Sequence, residues 1–116
     1  MLLAQELLYY SYPHKKRGNI KSLNLSRIAK PEECKLSGEL NLSDFTQLTE
    51  LDCSFNKITN IILPVDNQIK KLDCQINPHL KSDFLSSLKP EQLTYLLLDE
   101  NSEVLLVKYL QKGESL

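Results

Sequence analysis

The chain has 116 residues, of which 41% are hydrophobic and 25% charged, with a net charge of −1, three glycines and five prolines. This is the material of one small globular domain, too poor in glycine and proline for a disordered or collagen-like chain. The near-neutral balance excludes a dedicated nucleic-acid binder, which needs a basic face against phosphates, and no apolar run approaches the roughly 18–20 residues that span a bilayer.

The first segment, Met1-Leu-Leu-Ala-Gln-Glu-Leu-Leu, is apolar but does not read as a signal peptide. It has no basic start, Gln5 and Glu6 interrupt it, and Tyr9, Tyr10 and Tyr12 follow without a small-residue cleavage site. Leu3, Leu7, Leu8 and Tyr10 or Tyr12 approximate helical spacing, so an amphipathic helix is expected over residues 2–11. Pro13 stops it, and His14 to Gly18 is expected to be a polar turn. In that turn the Lys15-Lys16-Arg17 cluster reads as solvated charge, ahead of a localisation signal or an anion contact.

From residue 20 a short phrase recurs. The good copies are Leu48-Thr-Glu-Leu51-Asp-Cys53-Ser-Phe-Asn56, Ile69-Lys-Lys-Leu72-Asp-Cys74-Gln-Ile-Asn77 and Leu93-Thr-Tyr-Leu96-Leu-Leu98-Asp-Glu-Asn101, with starts 21 and 24 residues apart. A weaker copy, Ile20-Lys-Ser-Leu23-Asn-Leu25, lies 28 residues upstream and lacks the Asn. The alternation of apolar and polar residues predicts a short strand in each copy. Between copies, Leu36 to Leu42 and Ile58 to Leu63 repeat the apolar spacing and are expected to be extended return segments. Residues Arg27 to Lys35 are an insertion expected to bulge. His79 sits where an apolar residue belongs, so a one-residue bulge should pass the buried slot to Leu80. Ser82 to Leu88 reads as a short helix with Ser82 as cap, ending at Lys89-Pro90. Val104 to Leu110 reads as a C-terminal helix ended by Lys112-Gly113, with a truncated further repeat as the alternative.

Cys53 and Cys74 fall where other copies carry Leu25 and Leu98, and are expected to be small core hydrophobes. Neighbours on parallel strands lie roughly 4.8 Å apart, but inward-facing pairs seldom have bridging geometry, so two free thiols are expected. With Cys34 alone in an irregular loop, the three point to a reducing, cytoplasmic compartment. Asn24-Leu-Ser26 and Asn41-Leu-Ser43 match a glycosylation pattern that would be accidental there.

The phrase and its spacing resemble the leucine-rich repeat family, whose period is about 20–29 residues. The Cys53-Ser-Phe-Asn56 form is similar to that of short intracellular members; the second copy replaces Ser by Gln75 and the third loses both Cys and Ser. The resemblance spans roughly residues 5–101. It implies an α/β solenoid: an N-terminal capping helix and turn over 1–19, about four repeats over 20–101 starting near 20, 48, 69 and 93, a parallel sheet on the concave face, and a C-terminal helix over 102–116. It also implies that Asn56, Asn77 and Asn101 form a buried ladder against the turning backbone, and it carries no catalytic residues.

In register, the phrase would set outward residues in rows. Position three reads Ser22, Glu50, Lys71, Tyr95, and position five Asn24, Asp52, Asp73, Leu97. Glu50 beside Lys71 predicts an ion pair, and Asp52 beside Asp73 an unfavourable like-charge pair unless solvent, Lys71 or a partner's cation relieves it. Phe55 and Ile76, at position eight, are either part of an interface or folded onto the core. No Cys or His spacing suits a metal, no Gly-rich phosphate loop occurs, and a shallow surface does not suit carboxylate catalysis, so neither an enzyme nor a cofactor is expected. The expected function is protein–protein recognition through Glu50, Asp52, Lys71, Asp73, Tyr95 and Leu97, by a monomer with end-to-end association possible. The alternative is an appendage, or fragment of a longer protein, that docks through its apolar ends to another domain or subunit.

Overall fold

The computed structural model describes residues 2–99. In chain order it runs β1 (Leu2–Leu3), α1 (Ala4–Ser11), α2 (His14–Arg17), β2 (Ser22–Asn24), a 3-10 turn (Glu32–Cys34), β3 (Leu36–Asn41), β4 (Glu50–Asp52), β5 (Lys57–Ile62), β6 (Lys71–Asp73), a 3-10 helix (Ser82–Ser87) and β7 (Tyr95–Leu97). The class is α/β, with two parallel sheets of order β1-β3-β5 and β2-β4-β6-β7. From β2 to β6 successive strands alternate between the sheets.

Each copy of the phrase builds the same short strand. Its middle residue points inward, and Leu23, Leu51 and Leu72 are buried, each contributing about 1.5–3 kcal/mol by leaving water. The backbone pairing extends past the strand at both ends. Before it, the carbonyls of Lys21, Thr49 and Lys70 each accept two successive N–H groups from the next copy, at 2.8–3.2 Å. After it, the N–H groups of Leu25, Cys53 and Cys74 donate to the carbonyls of Asp52, Asp73 and Leu97. Parallel strands of three residues are too short to hold alone, and this continuation satisfies their flanking polar groups.

The second sheet is built from the segments between the phrases. In β3 the inward leucines Leu36 and Leu40 are four residues apart, whereas in β5 Ile58 and Ile61 are three apart, although all four are buried. Side chains alternate along a strand, so the odd spacing demands an extra residue. The register shifts from Gly38↔Ile58 to Glu39↔Asn60, which makes Thr59 that residue. Inward residues of both sheets, with Phe45, Leu48, Ile69, Phe84, Leu85 and Leu88, join in one buried core.

The N-terminal segment differs from the expected helix over 2–11. Leu2 and Leu3 instead pair in parallel with Leu36 and Ser37, and the helix begins at Ala4. The side chains it buries are Ala4 and Leu8, while Leu3 and Tyr10 are exposed. The exposed edge of β3 explains the change, because its unpaired N–H and C=O groups recruit a neighbour. Where β1 stops, Gln5 takes over: its Nε2 donates to the Asn41 carbonyl at 3.1 Å and its Oε1 accepts from the Asn41 N–H at 2.6 Å.

The expected polar turn over His14–Gly18 is also corrected. Residues His14–Arg17 are helical and Arg17 is buried. Its Nε donates to the Tyr12 carbonyl at 2.8 Å, one Nη reaches Asp44 at 3.1 Å, and the guanidinium lies 3.7 Å from the centre of the Tyr9 ring. A buried arginine is tolerated when charge, hydrogen bonds and an aromatic face replace its water.

The expected short helix forms over Ser82–Ser87 as a 3-10 helix, but Ser82 is its first residue and makes no capping bond; Lys81 precedes it in extended conformation. The helix is only six residues long, and the tighter 3-10 form is used in such short pieces. The Arg27–Lys35 insertion makes a turn, with Lys30 N–H bonded to the Arg27 carbonyl, and then the 3-10 turn that holds a half-buried Cys34. His79 is exposed in a turn and Leu80 packs half-buried against the core. The expected C-terminal helix over 102–116 and Asn101 lie outside the described residues.

Candidate functional site

The outer face of the four-stranded sheet is organised by its register. Ser22, Glu50, Lys71 and Tyr95 lie side by side, and so do Asn24, Asp52, Asp73 and Leu97. All of these residues except Leu97 line a shallow open depression of about 290 Å³. Lys71 and Tyr95 are exposed, Glu50 and Leu97 half-buried. The Lys71 ammonium stands 3.5 Å from a Glu50 carboxylate oxygen with both side chains largely in water, so the pair contributes at most about 1 kcal/mol.

The acidic row has a second use that the sequence reading missed. Asp52 Oδ1 accepts from the N–H and the hydroxyl of Ser54, at 3.0 and 2.6 Å. Asp73 Oδ1 accepts from the N–H of Gln75 and its Oδ2 from the Gln75 side-chain amide, both at 3.3 Å. Asn24 makes the same bond to the N–H of Ser26, and Asn41, leaving β3, to that of Ser43. An Asn or Asp that bonds the backbone two residues on makes a turn of its own. Both carboxylates therefore end strands, and neither is a freely solvated charge. Burial raises the Asp73 carboxyl above its ordinary range, the bond from the Gln75 N–H opposes this, and the neighbouring Asp52 charge adds to the rise.

Beneath this face the turning backbone is held by asparagines. Asn56 is buried; its Oδ1 accepts from the Leu36 N–H at 2.8 Å and its Nδ2 donates to the carbonyls of Leu25, Cys53 and Ser54. Asn77 repeats this one copy later, accepting from the Ile58 N–H at 3.0 Å and donating to Cys53, Cys74 and Gln75. Each thereby ties one sheet to the other. Asn67 is a third buried asparagine, bonded to the Ser87 carbonyl and the Ile69 N–H. Its signal in the sequence is its place two residues before a phrase. Asp99 ends the series, its carboxylate accepting from the N–H groups of Ile76 and Asn77.

The residues just before Asn56 and Asn77 are strained. Phe55 and Ile76 have φ of 60° and 56°, a region that bulky and β-branched side chains avoid. Phe55 is half-buried with the Lys35 ammonium 5.7 Å from its ring centre, and Ile76 is 49% exposed. All three cysteines are free. Burial, foremost, with the nearby Asp52 and Asp73 charges, drives the Cys53 thiol far above its ordinary value; burial does the same at Cys74, with Cys53, Asp73 and Asp99 adding to it. Such thiols are poor nucleophiles.

Among the described residues no group of three His, Cys, Asp or Glu side chains is placed to hold a metal ion, and no helix is long and apolar enough to cross a membrane. No protein-family model matches the chain, and neither a curated protein nor a solved structure shows significant similarity to it.

Proposed function

We propose that the chain is a short leucine-rich-repeat solenoid that recognises a protein partner, without catalysis, through the outer face of its four-stranded sheet, in a reducing cytoplasmic setting. The observation that carries this reading is the in-register row Glu50, Lys71 and Tyr95 beside the depression. It offers two opposite charges and an aromatic ring, 48% exposed, on a backbone whose inward positions are fully used for packing. Exposed aromatic and charged groups on a rigid support are what interface hot spots require. The repeat assignment is supported by the recurrence of one local structure: a three-residue strand, a side-chain turn after it, and a buried Asn.

Because Asp52 and Asp73 serve the turns, the contact energy falls chiefly to Glu50, Lys71, Tyr95 and Leu97, with the two aspartates supplying a fixed negative field. The test is affinity capture with the wild-type chain, identification of the retained protein, and repetition with Lys71→Glu combined with Tyr95→Ala. These two side chains are exposed, so the fold should survive, and loss of the retained protein is expected. Unchanged retention overturns the proposal. Val65→Ser, at a site 95% exposed in the loop after β5, should change nothing.

A further inference from the structure

Four of the eight large hydrophobic side chains exposed among the described residues lie within the first ten positions: Leu2, Leu3, Tyr9 and Tyr10. Of these, Leu3 and Tyr9 line a groove of about 270 Å³ between α1 and β3, with Glu6 beside them and Ser37 and Glu39 on the other side. Two features make it more than a surface dent. The first is charge. Glu6 and Glu39 both face the groove, and among the described residues neither makes an ion pair. Arg17 is engaged with Asp44 and Lys57 with Glu32, and among the described residues the side-chain partner of Glu39 is the Asn60 amide, at 3.1 Å. The second is rigidity. Tyr9 is stacked on buried Arg17, and the floor is locked by the two hydrogen bonds between the Gln5 side chain and the Asn41 backbone.

We propose that this groove is a second docking site, for a peptide segment of a partner protein that places a lysine or arginine between Glu6 and Glu39 and lays apolar neighbours over Leu3 and Tyr9. The occupant follows from charge complementarity: two carboxylates without a cation, beside exposed apolar groups, favour a basic residue flanked by apolar ones and disfavour an acidic segment. The aliphatic stem of such a side chain would cover Leu3 while its head stays with the carboxylates. The site lies on the three-stranded sheet and stands whether or not the other face binds a partner.

The test uses the 15N-labelled full chain titrated with the pentapeptide acetyl-Leu-Arg-Leu-Arg-Leu-amide and, separately, with its Glu-for-Arg counterpart, followed by amide chemical shifts. Saturable shifts at Leu3, Glu6, Ser37 and Glu39 are expected with the basic peptide alone. Glu6→Lys with Glu39→Lys should weaken binding at least about tenfold, the milder Glu6→Gln with Glu39→Gln should weaken it while keeping the amide spectrum folded, and Lys71→Glu should leave it unchanged. Equal binding of the acidic peptide, shifts centred on Glu50 and Tyr95, or no saturable shift overturns the proposal. A concentration-dependent dimer in sedimentation that the Glu6 and Glu39 variants dissolve also overturns it, assigning the groove to a second copy of the chain.

Discussion

Asn56 shows how much one side chain can carry in this molecule. It accepts from the Leu36 N–H and donates to the Leu25 carbonyl, and it joins Asn77 at the Cys53 carbonyl and the Arg27 N–H at that of Ser54; Asn77 likewise answers the Ile58 N–H and the Cys74 carbonyl. Asn56→Ala and Asn77→Ala should each cost about 1–3 kcal/mol in urea denaturation, because the orphaned backbone groups stay buried. Ile76 argues in the opposite direction. Its left-handed backbone is costly for a β-branched residue, and with the side chain half in water little packing is at risk. Ile76→Asn should stabilise by about 1 kcal/mol, seen as a raised urea midpoint. Asp73 gives a pH dependence. Its folded-state pKa lies above the unfolded one, so it destabilises the fold at neutral pH, and that penalty fades as pH falls through the raised value toward the ordinary carboxylate range. Asp73→Asn keeps an oxygen for the Gln75 N–H and removes the charge. Its gain in stability over the wild type should be present at pH 7 and vanish at the acid end of a pH series.

At the scale of elements, what could be read from the sequence and what could not divide along a physical line. The strands over 22–24, 50–52, 71–73 and 95–97 were legible because apolar and polar residues alternate locally, and the rows of outward residues followed from the spacing alone. The return strands were legible for the same reason, down to their unequal apolar spacing. Leu2–Leu3 was not, since two residues have no period and their strand exists only because β3 leaves an edge to pair. Nor was the buried state of Arg17, whose partners Asp44 and Tyr9 come from distant or oppositely patterned segments. Asp52 and Asp73 were legible as neighbours but not as turn-makers, because the bond to the residue two on competes with solvent and only the fold decides it. Gly38 belongs here too. It sits opposite the bulge at Thr59 with φ of 85°, a conformation other residues adopt at a cost. Gly38→Ala should destabilise by about 1–2 kcal/mol, with the loss read in thermal unfolding.

Across the whole molecule, repetition and irregularity have separate duties. The repeated letters (Leu, Cys, Asn) go inward and hold two sheets together, which leaves the thiols buried and protonated and the asparagines bonded. The variable letters go outward, and specificity can only reside there. Two outward regions stand apart in character: the sheet face around Glu50, Lys71 and Tyr95, and the acidic groove beside α1, on different sheets and supported by different contacts. Partner recognition is proposed for the sheet face, where site-specific photo-crosslinking can detect it. A benzophenone amino acid placed at Tyr95 should crosslink a discrete protein in cell extract, in competition with the unlabelled wild-type chain, while the same group at Val65 gives none. Crosslinking that is equal at both positions, or absent at Tyr95 while the wild-type chain still captures its partner, would rule out recognition through this face.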